Sequence, residues 1–121
     1  MRIVIVDDAA VERAIFARIA VTLGHEIAGE AADVTAGAHL AREHRPNLIV
    51  LDGRLPGAGL DAIELLLAAA PDAHVAVIAS VSELDLVRAA RARGASAALL
   101  RPLLASQVAQ VLDELSVENG G

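Results

Sequence analysis

Asn47-Leu48-Ile49-Val50-Leu51-Asp52-Gly53-Arg54-Leu55-Pro56-Gly57 is the stretch that decides the fold: an unbroken apolar run that stops at one carboxylate and a Gly/Pro loop. A strand apolar at every position, instead of at alternate ones, is covered on both faces, which places it in a parallel sheet between two layers of helices. Ligands of such sheets bind outside the carboxyl ends of the strands. Asp52 is therefore expected at the end of a buried strand, where chemistry takes place.

Working outward, Arg2 to Val6 repeats the form, a β-branched apolar run followed by Asp7-Asp8. Ala9 to Leu23 carries Val11, Ile15, Phe16, Ile19 and Leu23 at a helical period. Glu12, Arg13 and Arg18 fall largely on the opposite side, and Gly24 is the stop signal. Glu26 to Ala31 alternates weakly, as an edge strand does. Asp33 is the expected N-cap of a helix with Ala36, Leu40 and Ala41 on its inner face, ending before Pro46.

Beyond the central strand, Leu60 to Ala70 reads as a helix and Ala73 to Ala79 as a strand. Ser82 heads the next helix, with Asp85 as an acidic variant of the capping pattern and Gly94 as the stop. Ala97 to Leu100 makes a short strand, and Leu104 to Val117 a last helix with Val108, Val111, Leu112 and Leu115 as its apolar stripe. Residues 1–117 form one expected domain and 118–121 a flexible tail, having nothing to bury. The alternation of five strands with five helices predicts an α/β, flavodoxin-like doubly wound parallel sheet of order 2-1-3-4-5. That order makes the first and third strands neighbours and brings Asp7, Asp8 and Asp52 together.

Composition narrows the function classes. With no cysteine among 121 residues there is no disulfide framework, thiolate zinc site or cysteine nucleophile. Acidic residues outnumber basic ones 16 to 10 and no basic patch is evident, which argues against nucleic-acid and membrane partners. The amino-terminal apolar run is too short for a signal peptide, and nothing approaches the roughly 20 apolar residues of a membrane span. A soluble cytoplasmic protein is expected. Phe16 is the only aromatic residue, so the core is aliphatic. The glycines make no GxGxxG or P-loop, and Ser80 and Ser82 lack the Gly-x-Ser-x-Gly elbow of hydrolases. His25, His39, His44 and His74 show no metal-ligand spacing and are expected to face solvent.

Taken singly, an Asp-Asp pair after a strand or an Asp before a Gly/Pro loop is ordinary turn chemistry. Three carboxylates at topologically adjacent strand ends are different, because like charges repel and raise one another's pKa unless a cation intervenes. All-oxygen ligands point to Mg2+, with Mn2+ as an alternative.

Over nearly its whole length the sequence resembles the receiver domains of two-component response regulators, of the single-domain chemotaxis type. The landmarks are Asp7-Asp8, Asp52, Leu55-Pro56-Gly57, Gly94-Ala95, and Arg101-Pro102 where the family has Lys-Pro. The resemblance implies that Asp52 takes a phosphoryl group from a sensor histidine kinase, a phosphotransfer protein or a small phosphodonor. It implies that Asp7 and Asp8 hold Mg2+ beside Asp52, with Asp8 the direct ligand and the Arg54 backbone carbonyl completing the set. It also implies an output protein or effector domain as partner, and a homodimer or partner face on the fourth helix, where Arg88, Arg91 and Arg93 cluster. Activity as an enzyme would extend no further than self-phosphorylation and dephosphorylation.

The switch positions depart from the family. The usual Thr or Ser at the end of strand four is Ala79, with Ser80 one residue late, and the usual aromatic residue of strand five is Ala98. A one-residue shift along a strand turns a side chain to the other face, so Ser80 is not an assumed substitute. Arg101 keeps a positive charge but offers a planar fork in place of a compact ammonium. The loop after Pro56 is one residue short. Two alternatives stand beside the phosphoacceptor: a phosphorylation-independent pseudoreceiver acting as a protein-interaction module, and a Mg2+-dependent phosphohydrolase, disfavoured because Asp52-Gly53-Arg54 lacks the second acid of an Asp-x-Asp motif.

Overall fold

The computed structural model describes residues 1–55 and 60–120, the side chains of 118–120 excepted. Five strands, β1 (Arg2–Val6), β2 (Glu26–Ala31), β3 (Leu48–Asp52), β4 (His74–Ala79) and β5 (Ala97–Leu100), form one parallel sheet of order β2-β1-β3-β4-β5. The helices between and after them are α1 (Ala10–Thr22), α2 (Val34–His44), α3 (Asp61–Ala69), α4 (Leu84–Ala92) and α5 (Ala105–Gly120). The flavodoxin-like order expected from the rhythm of the sequence is thus the one observed. Among the described residues, no helix is long and apolar enough to cross a membrane.

β3 is buried at all its positions because it lies in the middle of the sheet, between β1 and β4, with helices on both faces. One face packs Val4, Val6, Ile49, Leu51, Val75 and Val77 under α2, α3 and α4. The other packs Ile3, Ile5, Leu48, Val50, Ile78 and Leu99 under α1 and α5. Side chains alternate along a strand, so Asp7 continues the phase of Ile3 and Ile5, and Asp52 that of Leu48 and Val50. Arg101 likewise follows Ala97 and Leu99. All three charged groups therefore emerge at the carboxyl edge on the α1/α5 side.

Several local expectations change. The buried residues of α1 are Phe16 and Ala20, whereas Val11, Ile15 and Leu23 are exposed. The periodic set was drawn through the largest apolar side chains, but α1 packs through one ring and a small residue. In α2, Asp33 does cap the helix, its carboxylate accepting from the Ala36 N–H at 2.8 Å. Its buried residues are Gly37, Ala38 and Ala41, with Ala36 exposed and Leu40 partly buried. The start of α4 is not capped by Ser82 and Asp85: a 3-10 turn, Val81–Glu83, precedes it, and the Glu83 carboxylate accepts from the Ser80 N–H at 2.8 Å. Asp85 is exposed and pairs with Arg88. His25, His44 and His74 are half-buried instead of exposed, and two of them are tied to neighbours. His74 is bonded through Nδ1 to the Ser96 hydroxyl at 2.7 Å, and His25 through Nδ1 to the Met1 ammonium at 2.8 Å.

Candidate functional site

The site is assembled by backbone bonds that extend the sheet past its strands. Asp7 N–H donates to the Ala31 carbonyl at 2.9 Å, Gly53 N–H to Ile78 at 2.9 Å, and Arg101 N–H to Ala79 at 2.8 Å. Gly53 has to be glycine: a Cβ there would lie 2.9 Å from Leu86 Cδ2, 2.9 Å from Val77 Cγ1 and 3.0 Å from the Ile78 carbonyl oxygen. The close approach just after Asp52 holds the Gly53 backbone against β4. The Arg101–Pro102 peptide is cis.

Asp52 is 7% exposed. Its Oδ1 accepts from the Arg54 N–H at 3.0 Å and from Arg101 Nη2 at 2.8 Å. Arg101, whose side chain is 18% exposed, also donates from Nε and Nη2 to the two carboxylate oxygens of Glu12, at 2.9 and 2.8 Å. Those bonds to Glu12 lead a set of interactions that push the guanidinium pKa further up, against the opposing effect of burial. Burial, the largest single influence, would raise Glu12, but the Arg101 guanidinium, a hydrogen bond with Asp7 and the Arg54 charge together outweigh it and leave the carboxyl below its ordinary value.

Asp7 is fully buried. One oxygen, Oδ1, accepts from the Ala9 N–H at 2.9 Å, while Oδ2 has no protein donor. Burial first, and then the facing Glu12 carboxylate, push Asp7 up to about 7. When both carboxyls are ionised no hydrogen lies between them, and a shared proton or a cation would satisfy Oδ2.

One carboxylate oxygen from each of Asp7, Glu12 and Asp52 lies within 4.8 Å of the others. Three carboxylates against one guanidinium leave two negative charges when all are ionised. That balance, the all-oxygen donor set and the orphaned buried Oδ2 fit a hard divalent cation such as Mg2+.

Of the expected trio Asp7, Asp8 and Asp52, the structure brings Asp7 and Asp52 together with Arg101 beside them, leaves out Asp8, the expected direct metal ligand, and adds Glu12, which the sequence placed on the outer side of α1. Asp8 is exposed and lies outside the carboxylate cluster. Arg54 sits beside Asp52 through its backbone N–H, and its exposed side chain reaches Glu83 at 3.7 Å. Ala79 is buried at the end of β4, Ala98 is half-buried in β5 beside Val77, and Ser80 begins the turn before α4. The shortened loop expected after Pro56 lies outside the described residues.

The sheet that carries this carboxylate mouth is similar to that of known proteins. Residues 3–113 match the response regulator receiver domain. The chain belongs to that family. The chemotaxis protein CheY of Thermotoga maritima is 30% identical over 116 residues, which are 95% of this receiver domain and 97% of that protein. The transcriptional regulatory protein PdtaR of Mycobacterium tuberculosis is 34% identical over 113 residues, 93% of this receiver domain but only 55% of that protein. Among solved structures, the signal receiver domain of NarL from Mycobacterium tuberculosis superposes with a TM-score of 0.85 at 27% identity, covering 95% of each chain. The REC domain of AraT from Geobacillus stearothermophilus, with a TM-score of 0.86 at 22% identity over 97% of this chain and 93% of that one, shares the fold. Receiver domains serve two-component signalling and are not true enzymes.

The proposed partner face is occupied by pairs within the receiver itself. Arg88, 77% exposed, bonds Asp85 at 3.0 Å, and Arg91 donates to the Ser96 carbonyl at 3.3 Å. Arg93 bonds Asp61 and Glu64 at 2.9 and 3.0 Å, tying α4 to α3.

Proposed function

We propose that this receiver takes a phosphoryl group onto Asp52 from a sensor histidine kinase, a phosphotransfer protein or a small phosphodonor. The observation that carries the reading is Asp52 itself: buried, at the end of β3, with Oδ1 held by the Arg101 guanidinium and the Arg54 N–H. A carboxylate oxygen forms a bond to phosphorus while the donor's P–N or P–O bond breaks, and the imidazole or acetate leaves with the electron pair. The product is an acyl phosphate, and the carboxylate has no proton to lose. Transfer of this kind depends on in-line positioning and on neutralising charge over the equatorial oxygens. The strand supplies the first, and Arg101 part of the second.

Asp7, Asp52 and the Arg54 backbone carbonyl would hold Mg2+ or Mn2+, with Glu12 facing the same space and Asp8 at the rim. When bound, the ion supplies the remaining neutralisation of the phosphoryl oxygens. The exposed side of α4, with Arg88 and Arg91, is the face on which an output protein, an effector domain or a second copy would dock, in the cytoplasm.

The test is incubation with Mg2+ and acetyl phosphate followed by intact mass. A single phosphoryl adduct is expected, lost in Asp52→Asn; no adduct at any donor concentration would overturn the reading. A second reading, a phosphorylation-independent interaction module, is favoured by Ala79 and Ala98, and the absence of an adduct would select it.

A further inference from the structure

A guanidinium presents two pairs of parallel donors, a side pair of Nε and Nη2 and an end pair of Nη1 and Nη2. In Arg101 the side pair is filled by Glu12, with Nε on Oε2 at 2.9 Å and Nη2 on Oε1 at 2.8 Å. The end pair faces Asp52: Nη2 reaches Oδ1 at 2.8 Å, while Nη1 is buried and has no partner among the described residues. One donor of that pair is therefore already on the acceptor carboxylate, and the other lacks an oxygen.

We propose that Glu12 is a positioning residue for phosphoryl transfer, locking the Arg101 plane so that Nη1 and Nη2 meet oxygens of a phosphoryl group on Asp52. The proposal rests on the reading of Asp52 as the phosphoacceptor. An ammonium at this place would need no such partner, since its three donors turn freely about one bond and act as a point charge. A guanidinium is useful to a phosphoryl group only in the few orientations that present a fork. It is carried on a long side chain whose rotamer freedom otherwise dilutes them. Glu12, rigid on the first turns of α1 and 89 residues away in sequence, removes that freedom. Arg101 and Glu12 then work as a pair, and replacing Lys by Arg makes sense only with the carboxylate present.

Glu12 also lies in the carboxylate cluster, so a direct effect through the metal is the competing explanation, and a double-mutant cycle separates the two. Phosphorylation by acetyl phosphate with Mg2+ is followed by intact mass in the wild type, Glu12→Gln, Arg101→Lys and the double variant. Glu12→Gln and Arg101→Lys are each expected to slow adduct formation roughly tenfold, the size of one charge-assisted hydrogen bond. The double variant is expected to be no slower than Arg101→Lys alone, because Glu12 acts through the guanidinium. Equal losses on removing Glu12 in the Arg and Lys backgrounds would overturn the proposal while leaving Asp52 as acceptor. A wild type that forms no adduct would sink the underlying reading instead. The Arg101 Nε–H resonance, recorded without phosphodonor, adds a readout independent of activity: sharp and slowly exchanging in the wild type and in Asp52→Asn, lost in Glu12→Gln. A resonance unchanged in Glu12→Gln would also overturn the proposal.

Discussion

The two sides of the carboxyl edge of the sheet are built differently. At the mouth formed by β1, β3, β5 and α1, beside the local bonds of the Ala9 and Arg54 N–H groups to Asp7 and Asp52, a charge-assisted set joins distant parts of the chain: Arg101 links Glu12 and Asp52 across 89 and 49 residues. Along β4 and α4 the hydrogen bonds nearest the switch positions are short-range, Ser80 to Glu83 and Arg88 to Asp85, each spanning three residues, and the longer links there, Arg93 to Asp61 and Glu64 and Arg54 to Glu83, are exposed ion pairs. Ala79 and Ala98 have no side-chain dihedral to turn and no polar atom to offer. The first side is equipped to receive a charge, and the second has lost the side chains that usually respond to one. On the proposed reading, acceptance and response would use different strands and different faces of the sheet.

The comparison breaks first at Arg101. Arg101→Met leaves two largely buried carboxylates without their shared cation, and about 3 kcal/mol of stability should be lost at neutral pH, read from the urea midpoint. A loss under 1 kcal/mol would mean that solvent already screens the mouth as it screens the α4 surface.

A smaller effect should appear with pH at Asp7. Its folded pKa is raised from 3.8 to about 7, so the folded metal-free protein holds a proton that the unfolded chain has released. The stabilisation is fully present below about pH 4 and is lost as pH rises through about 7. The Asp7 shift alone corresponds to about 4 kcal/mol, which the lowered Glu12 partly offsets, so wild type should lose about 2 kcal/mol relative to Asp7→Asn over that window, and Mg2+ should restore it by replacing the proton. A pH-independent difference between the two proteins in denaturant titrations would show that Asp7 and Glu12 are not forced together.

Least affected should be the local side. Glu83→Ala removes one capping acceptor and is expected to cost about 1 kcal/mol by thermal melting, without changing the rate of adduct formation at Asp52. A change in that rate would show that the Arg54–Glu83 pair couples the two regions.

Much of this was legible in one dimension. The run Leu48 to Leu51 announces a strand covered on both faces because every residue in it is apolar, and burial on both sides requires nothing else. Strand parity is equally local: a two-residue period set by the backbone places Asp7, Asp52 and Arg101 on one face once the sheet order is known. The sequence alone therefore determined the sheet, its order and three of the four charged groups at the mouth. Glu12 was read as an outward residue of α1, and Val11 and Ile15 as inward ones, because a helical period says which residues share a face but not which face meets the sheet. That choice is made by how α1 packs through Phe16 and Ala20. Only the tertiary structure decided it, and with it the pairing of Glu12 and Arg101, since a contact across 89 residues depends on how whole elements dock and leaves no periodic trace in the chain.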